Sequence, residues 1–221
     1  MAKKTISRFV VGLLVLIITT STVQAHVGDY WLGSYTSNAP SHPSDMQFMY
    51  SSSSLGGYYT STVFGNITDW NSISSNVNLS LTYRAPGMPS SLCDQFYQIY
   101  NESMTYLYGF NFTSQILGQT CPTDVNGNSV SVNSNWYKVA VFLNTSSPYI
   151  TSSAQAKKVF LHEIGHCLKL AHPVSNTTYH GTLYGGLPYA IMNQGIPASG
   201  TAVAPTIQQH DIDNLLGRWG T

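Results

Sequence analysis

The chain has 221 residues, of which 43% are hydrophobic. This combination suits one domain with its own core and excludes an intrinsically disordered protein. Charged residues make up only 8% of the chain and the formal net charge is zero, whereas about 25% of the residues in an average soluble domain are charged. Because there is no basic stripe or acidic run, the composition predicts neither a nucleic-acid partner nor electrostatic attachment to a membrane.

The first 25 residues have the pattern of a secretory signal peptide. Three basic residues precede an apolar run over residues 9–18, and Ala25 ends a cleavage site of small residues. Because this run is too short to span a bilayer comfortably, we expect residues 1–25 to be removed. The chain would then be secreted or held at the cell surface, without stable membrane insertion; the alternative is a retained anchor. Residues 26–45, rich in Pro, Ser and aromatics, predict an irregular lead-in.

Downstream, the spacing of apolar residues predicts strands and helices. Residues 46–50 predict a first strand, and residues 59–73 have the apolar spacing of a helix. Residues 77–83 alternate between apolar and polar side chains, as a half-buried strand does. The stretch that follows is the least regular, and we interpret residues 95–108 within it as a helix. The β-rich run at residues 136–143 predicts another strand.

Two cysteines flank this irregular stretch. In an exported protein, Cys93 and Cys121 are expected to form a disulfide. The bond would close a loop of about 27 residues and would stabilise the fold by about 3 kcal/mol, because it lowers the conformational entropy of the unfolded chain. Cys167 is left over, and we interpret it as a small buried hydrophobic residue on a helix.

The sequence also suggests a glycoprotein. Six N-x-S/T sequons predict N-glycosylation, at Asn66, Asn78, Asn101, Asn111, Asn144 and Asn176. The low charge and the many hydroxyl and amide side chains also suit an acidic environment, in which surface carboxylates lose their charge.

Capping patterns predict two helices in the second half of the chain. Ser152 and Gln155 have the spacing of a capping box, so a helix should begin there. Thr206 and Gln209 repeat the spacing before a second apolar stripe, and this C-terminal helix is expected to end at Gly217.

The first of these helices carries the sequence HEIGH. His162 and His166 are four residues apart and project from the same face, so both imidazoles can reach one ion at about 2.0–2.1 Å. Glu163 can face a water on that ion and act as a general base. A catalytic zinc generally needs a third protein ligand. The downstream candidates are His172, His180, His210, Asp211 and Asp213.

His172 can be the third ligand only if the helix ends before it. On a continuous helix it would lie about 15 Å beyond His162 along the axis, out of reach of the same ion. Pro173 disfavours the helical conformation for the residue before it. We therefore expect His172 to be extended, on a chain that turns back.

These features resemble the metzincin metalloproteases, and the matrixin branch in particular. HEIGHCLKLAH is similar to their extended zinc signature H-E-x-x-H-x-x-G-x-x-H. Ala190–Asn193 resembles the Met-turn, in which Met192 would pack beneath the zinc ligands. The segment from Ile207 is similar to the closing helix of the branch, and residues 136–144 resemble its edge strand. The resemblance covers residues 136–221, with a looser match upstream.

The resemblance implies an α+β, metzincin-like zincin fold over residues 46–221, with a twisted mixed sheet, an active-site helix and a C-terminal helix. It implies a secreted zinc-dependent endopeptidase in which Glu163 is the general base for a zinc-activated water. One catalytic Zn²⁺ would be bound by His162, His166 and His172. A protein or peptide substrate would lie extended along the strand at residues 136–143. The carboxylates are too sparse to predict structural calcium sites.

The sequence departs from the signature at Lys169, where the family has glycine. That glycine lets the helix end in a left-handed conformation, and a non-glycine residue costs about 1–2 kcal/mol in the same conformation. We expect the turn to be kept at that cost. The alternative is a differently built turn that displaces His172 and weakens metal binding.

Two other functions are compatible with the sequence. The first is a non-catalytic, metzincin-fold surface glycoprotein for adhesion or binding, although such a scaffold would not use Glu163. The second uses His26, which would become the N-terminus after cleavage and could chelate copper through its amine and ring. That site would need a second histidine such as His42, and no surrounding motif supports it.

Overall fold

A computed structural model describes most of the predicted domain. The described residues are 29–36, 39, 41–50, 57–83, 94–99, 116–144, 147–173, 190–194 and 206–221. Several predictions concern residues outside these ranges: the signal peptide, His26, Cys93, His180 and the sequons at Asn101, Asn111 and Asn176. Among the described residues, no helix is both long and apolar enough to cross a membrane.

The described part of the chain contains six strands and three helices. In chain order they are β1 (Ser41–His42), β2 (Asp45–Tyr50), α1 (Tyr59–Asn66), β3 (Leu79–Tyr83), β4 (Asp94–Ile99), β5 (Gly118–Thr123), β6 (Lys138–Asn144), α2 (Ser153–Cys167) and α3 (Gln209–Trp219). The strands form one mixed sheet, so the predicted α+β class is confirmed at this level. The strands predicted at residues 46–50, 77–83 and 136–143 are present as β2, β3 and β6.

The sheet has a parallel centre and an antiparallel edge. The strand order is β1-β2-β4-β6-β5, and β3 also pairs with β2. β2 is parallel to β3 and β4, and β4 is parallel to β6. β5 is antiparallel to β6, with Cys121 opposite Ala140.

This order corrects the prediction for the edge strand. β6 pairs with β4 on one side and β5 on the other, so its backbone cannot accept a further strand. Residues 139–144 are all buried, as expected for a strand inside a parallel sheet. Within the part of the chain that the structure describes, the edge on this side is β5, at residues 118–123, and not the run at residues 136–143.

The helix predicted at residues 95–108 is also wrong where the structure describes it. Asp94–Ile99 is strand β4, and the remaining residues of that range lie outside the described part. Short runs of this kind do not distinguish helix from strand by periodicity alone. The helix predicted at residues 59–73 is shorter than expected, because α1 ends at Asn66 and turns follow.

The core lies between the sheet and the helix α2. Eleven of the 15 residues of α2 are buried, and the helix packs against α1, β5 and β6. Phe160 of α2 and Trp70, which follows α1, are completely buried, and the indole Nε1 of Trp70 donates to the carbonyl oxygen of Leu161 at 3.3 Å. Each large apolar side chain buried in this way contributes about 1.5–3 kcal/mol, so α2 is held firmly in place.

Two predicted modifications do not agree with this packing. Cys121 is a buried free thiol, so the predicted disulfide to Cys93 is not formed in this structure. Asn144 is buried, and its amide donates to the carbonyl of Ile116 at 2.9 Å. A bulky glycan on Asn144 is incompatible with this position, whereas Asn78 is exposed.

Candidate metal centre

Helix α2 begins where the capping pattern predicts. The hydroxyl of Ser152 accepts a hydrogen bond from the backbone N–H of Gln155 at 3.3 Å, and the Gln155 side chain accepts one from the N–H of Thr151 at 2.7 Å. This start places His162 and His166 in the buried second half of the helix, on one face, where they are 7% and 6% exposed.

Three histidine nitrogens converge beside this face. Nε2 of His172 lies 3.0 Å from Nε2 of His162 and 3.0 Å from Nε2 of His166. Two nitrogens bound at 2.0–2.1 Å to a tetrahedral ion would lie about 3.3 Å apart. The donor atoms are therefore close to the spacing of a metal site, and the cluster could hold a metal ion.

Hydrogen bonds fix the two helical imidazoles in the tautomer that a metal requires. Nδ1 of His162 donates to the carbonyl of Ile191 at 2.9 Å, and Nδ1 of His166 donates to the carbonyl of Leu170 at 2.8 Å. Each bond leaves the Nε2 lone pair free to bind a metal.

The histidines are also uncharged at neutral pH. Burial lowers the pKa of His166 to about 3 and holds the pKa of His162 well below its usual value, and the pKa of His172 is lowered for the same reason. Neutral imidazole is the form that binds metals.

The turn that returns His172 to the site is kept despite the lysine. Lys169 adopts the left-handed conformation, with φ of 64°. Its N–H donates to the carbonyl of His166 at 2.9 Å, and the N–H of Leu170 donates to Gly165 at 3.0 Å. These bonds satisfy the last carbonyls of the helix, as a left-handed cap does. The expected turn is therefore confirmed.

The side chain of Lys169 explains how the strain is tolerated. Lys169 is completely buried, and its Nζ lies 3.7 Å from the centre of the Trp136 ring. Nζ also donates to the backbone oxygens of Leu32 at 3.2 Å and Ser134 at 3.0 Å. A desolvated cation–π contact is worth up to about 2 kcal/mol, which offsets a left-handed cost of similar size. Burial, followed by the charge of Arg218, lowers the pKa of Lys169 to about 7.

The lead-in holds this turn from the other side. The N–H of Trp31 donates to the carbonyl of Lys169 at 2.7 Å, and the N–H of Ala171 donates to Asp29 at 2.9 Å. The indole of Trp31 stacks on the His166 ring, with centroids 4.8 Å apart and planes 13° from parallel. The segment at residues 29–36, predicted only as an irregular lead-in, thus positions a candidate ligand.

Met192 lies against helix α2 at Gly165, the residue before His166. It is buried, and a Cβ added at Gly165 would lie 2.2 Å from its sulfur. The absence of a side chain at Gly165 therefore makes room for Met192, and its role as an apolar floor for zinc ligands stays a prediction.

Asp211 holds the backbone of this segment and is not a metal ligand in the structure. It is completely buried, and its carboxylate accepts from the N–H groups of Ile191 at 2.7 Å, Met192 at 3.1 Å and Gln208 at 2.9 Å. Burial raises its pKa, and these three bonds counter the rise. Because the Ile191 carbonyl accepts from His162, Asp211 supports a candidate ligand through the backbone.

The other candidate ligands described by the structure are also used elsewhere. His210 lies 3.3 Å from the Asp29 carboxylate, and Asp213 accepts from Gln209 at 2.8 Å on the surface of α3.

Helix α3 begins after Gln208 rather than after Thr206. It continues through Gly217 to Trp219 and is followed by Gly220, with φ of 78°. The predicted stop at Gly217 is therefore wrong.

Glu163 is buried between α2 and β5. The hydroxyl of Thr120 lies 2.8 Å from its Oε2 and 2.9 Å from its backbone oxygen. A Cβ added at Gly118 would lie 2.8 Å from its Cγ and 2.9 Å from its Oε1, so β5 has no side chain where the carboxylate needs space. Burial raises the pKa of Glu163 to about 7, although the Thr120 hydrogen bond opposes the rise. Neither β5 residue was predicted from the sequence.

A cleft of about 400 Å³ opens at this place. β5 and the residues before it form one wall, and α2, the three histidines and Gln194 form the other. The lining residues are Ile116–Thr120, Lys158, Val159, His162, Glu163, His166, His172 and Gln194. The candidate ligands and the candidate base therefore face the same cavity.

Lys158 is an unpredicted member of this wall. It is only 5% exposed; its Nζ lies 3.5 Å from Nδ1 of His162 and donates to the carbonyl of Asn193. Burial lowers the pKa of Lys158 to about 8, whereas the carboxylates of Asp211 and Glu163 raise it.

Comparison of the chain with protein-family models finds no match, and comparison with curated proteins finds none either.

Proposed function

We propose that the chain is a secreted, zinc-dependent endopeptidase. The observation that carries the proposal is the convergence of three histidine nitrogens in a cleft that also contains a buried carboxylate. The motif alone would not distinguish a metal site from two unrelated core histidines. The close approach of three Nε2 atoms supports the binding of a single ion.

Zinc is the metal that this donor set suits best. Three neutral imidazoles with a further position open to a cleft are the ligands of a catalytic zinc, whereas magnesium and calcium prefer oxygen ligands. His162, His166 and His172 would hold the ion. When bound, Zn²⁺ supplies a Lewis acid that polarises a carbonyl and lowers the pKa of water toward neutrality.

Glu163 would move the proton in the reaction. Because Thr120 engages Oε2, Oε1 is the oxygen left to accept a proton from the attacking water. The same carboxyl group then delivers a proton to the leaving amine. Its burial excludes bulk water, and a base with a pKa near neutrality is suited to both transfers.

A peptide substrate would pair with β5. Within the described residues β5 pairs along its length with β6, and its other edge is bonded at its end, where the N–H of Val130 donates to the carbonyl of Pro122 at 3.1 Å. The first half of the strand, Gly118–Thr120, lines the cleft beside Glu163. An extended peptide can add to such an edge through backbone hydrogen bonds. This assignment replaces the strand at residues 136–143, which pairs on both sides.

The proposal is tested by metal content and hydrolysis of the chain without residues 1–25. We expect one zinc per chain and hydrolysis of casein or gelatin, measured across pH 3 to 8. Removal of zinc by a chelator should abolish hydrolysis, and added zinc should restore it. Zinc without hydrolysis would favour the binding glycoprotein, and a purified chain that takes up no zinc would contradict the proposal.

Replacement of Thr120 with Val should lower kcat about 10- to 100-fold with little change in KM. Valine keeps the size of threonine but removes the hydroxyl that orients the Glu163 carboxylate, and one hydrogen bond to a charged group is worth about 1.5–3 kcal/mol. The matched control is Thr120→Ser, which keeps the hydroxyl and should keep most of kcat. Equal losses in both variants would mean that Thr120 matters only for packing.

A further inference from the structure

The amine of Lys158 has hydrogen-bonding capacity that the described protein does not use. A lysine ammonium has three hydrogens and no acceptor. The Asn193 carbonyl accepts one of these hydrogens. The other neighbour, Nδ1 of His162, already donates its own proton to Ile191 and cannot accept another. Two hydrogens of Nζ therefore lack a protein acceptor among the described residues.

The charge of Lys158 is also unpaired within the described residues. The ion pairs found there join Lys157 to Asp69 and His210 to Asp29. Burial lowers the pKa of Lys158, and two carboxylates, those of Asp211 and Glu163, raise it. Neither carboxylate is hydrogen-bonded to Lys158: Asp211 accepts from three backbone N–H groups, and Glu163 is bonded to Thr120. Leaving a buried cation without a partner is costly.

The position of Lys158 makes a ligand the natural partner. Lys158 lines the same cleft as the three histidines and lies one turn before His162 on α2. Asn193, which accepts its one hydrogen bond, precedes Gln194, which also lines the cleft. A group bound beside the histidines would therefore lie close to this amine.

We infer that Lys158 recognises a carboxylate of the substrate, so that the cleft prefers peptides with an acidic group at one position near the cleaved bond. This inference rests on the proposed function, because it assigns Nε2 of His162 to a metal and its Nδ1 to Ile191. The carboxylate would accept the two remaining hydrogens of Nζ and neutralise its charge. Charge-assisted bonds of this kind are the stronger ones in proteins.

The test measures peptide binding to zinc-loaded Glu163→Gln protein, in which cleavage is suppressed. The probes are octapeptides of Ala and Ser that carry a single Glu or, at the same position, Gln, with the position moved along the peptide. A further pair ends in a free carboxylate or an amide, which distinguishes a side-chain carboxylate from the chain terminus. At one position, or at the terminus, the acid should bind about 10- to 100-fold more tightly.

Lys158→Met, made in the same protein, should remove this preference and leave binding of the Gln peptide nearly unchanged. The matched control is Lys157→Met, because Lys157 is the neighbouring lysine and pairs with Asp69 at 3.0 Å; it should keep the preference. Lys158→Gln provides a second variant if the methionine variant does not fold. The inference is overturned if no acid–amide pair differs in the protein that keeps Lys158, or if the preference survives in Lys158→Met.

Hydrolysis by the unaltered chain separates this inference from the proposed function. Cleavage of the Glu and Gln peptides at equal kcat/KM, together with equal binding, would leave the endopeptidase standing and remove the role of Lys158. If the chain hydrolysed nothing but still preferred carboxylates through Lys158, the carboxylate-binding cleft would be supported and the peptidase function would be contradicted.

Discussion

Replacement of Glu163 with Gln should lower kcat/KM for a peptide substrate about 1,000-fold while the protein still binds one zinc. A general base contributes about 10²- to 10⁴-fold, and an amide cannot take up the proton. Gln has nearly the same size, and its carbonyl oxygen can still accept from Thr120, so the packing against Gly118 should be preserved. Metal content and steady-state hydrolysis of matched preparations measure both effects.

The control for this variant is Asp213→Asn, which removes the same charge from an exposed carboxylate on α3. It should hydrolyse the substrate at the unaltered rate. If the Glu163 variant retained full activity, Glu163 would not be the base, and another group in the cleft would have to take the proton. If it lost zinc as well as activity, the carboxylate would be needed to assemble the site.

Asp211→Ala should destabilise the fold by at least about 3 kcal/mol. The change leaves the buried N–H groups of Ile191 and Met192, and the partly buried N–H of Gln208, without their acceptor. Each unsatisfied buried donor costs about 1–3 kcal/mol. The loss should appear as a lower denaturant midpoint in an unfolding experiment on the zinc-free chain, so that changes in metal affinity do not contribute.

Asp213→Ala is the matched control, because it is the same substitution two residues away on the exposed side of α3. Its effect should stay within about 0.5 kcal/mol. A similar midpoint for the two variants would show that the three hydrogen bonds to Asp211 contribute little net free energy. In the zinc-bound chain, Asp211→Ala should also weaken metal binding, because Ile191 would no longer hold Nδ1 of His162 as firmly.

The core of the candidate site could be predicted because its pattern is local. Ser152 caps α2, the spacing of His162 and His166 puts both on one face, and Pro173 disfavours helix at His172. Each of these depends on neighbours within a few residues. The structure agrees with all three predictions, including the return of the chain.

The wall opposite the helix could not be predicted, because it depends on contacts distant in sequence. The sequence of β5, GQTCPT, has no apolar alternation and contains Pro122, which suits an edge strand but does not identify one. Thr120 and Gly118 acquire their roles only by lying against Glu163. The run at residues 138–144 had a stronger strand signal because it is buried on both faces, and that same burial excludes it from the edge.

Asp211 and Lys158 illustrate a further limit. Sequence alone places an aspartate among the possible ligands and a lysine among the solvent-exposed residues, since these types are seldom fully buried. Three backbone N–H groups make burial of Asp211 favourable, and they come from two separate segments of chain. For Lys158, the only acceptor among the described residues is a carbonyl 35 residues away.

The left-handed conformation of Lys169 also bears on how the pattern H-E-x-x-H-x-x-G-x-x-H should be defined at its glycine position. The position requires a positive φ, which turns the chain toward the third histidine. Glycine adopts such an angle without a steric cost. Lys169 meets the same requirement by anchoring its amine on Trp136 and on carbonyls of two other segments. A pattern that specified a left-handed backbone at this position would include this chain, whereas a pattern that specifies glycine rejects it. Because Leu32 and Trp136 contact the amine of Lys169, the residues present at these distant positions would determine whether lysine is tolerated at position 169.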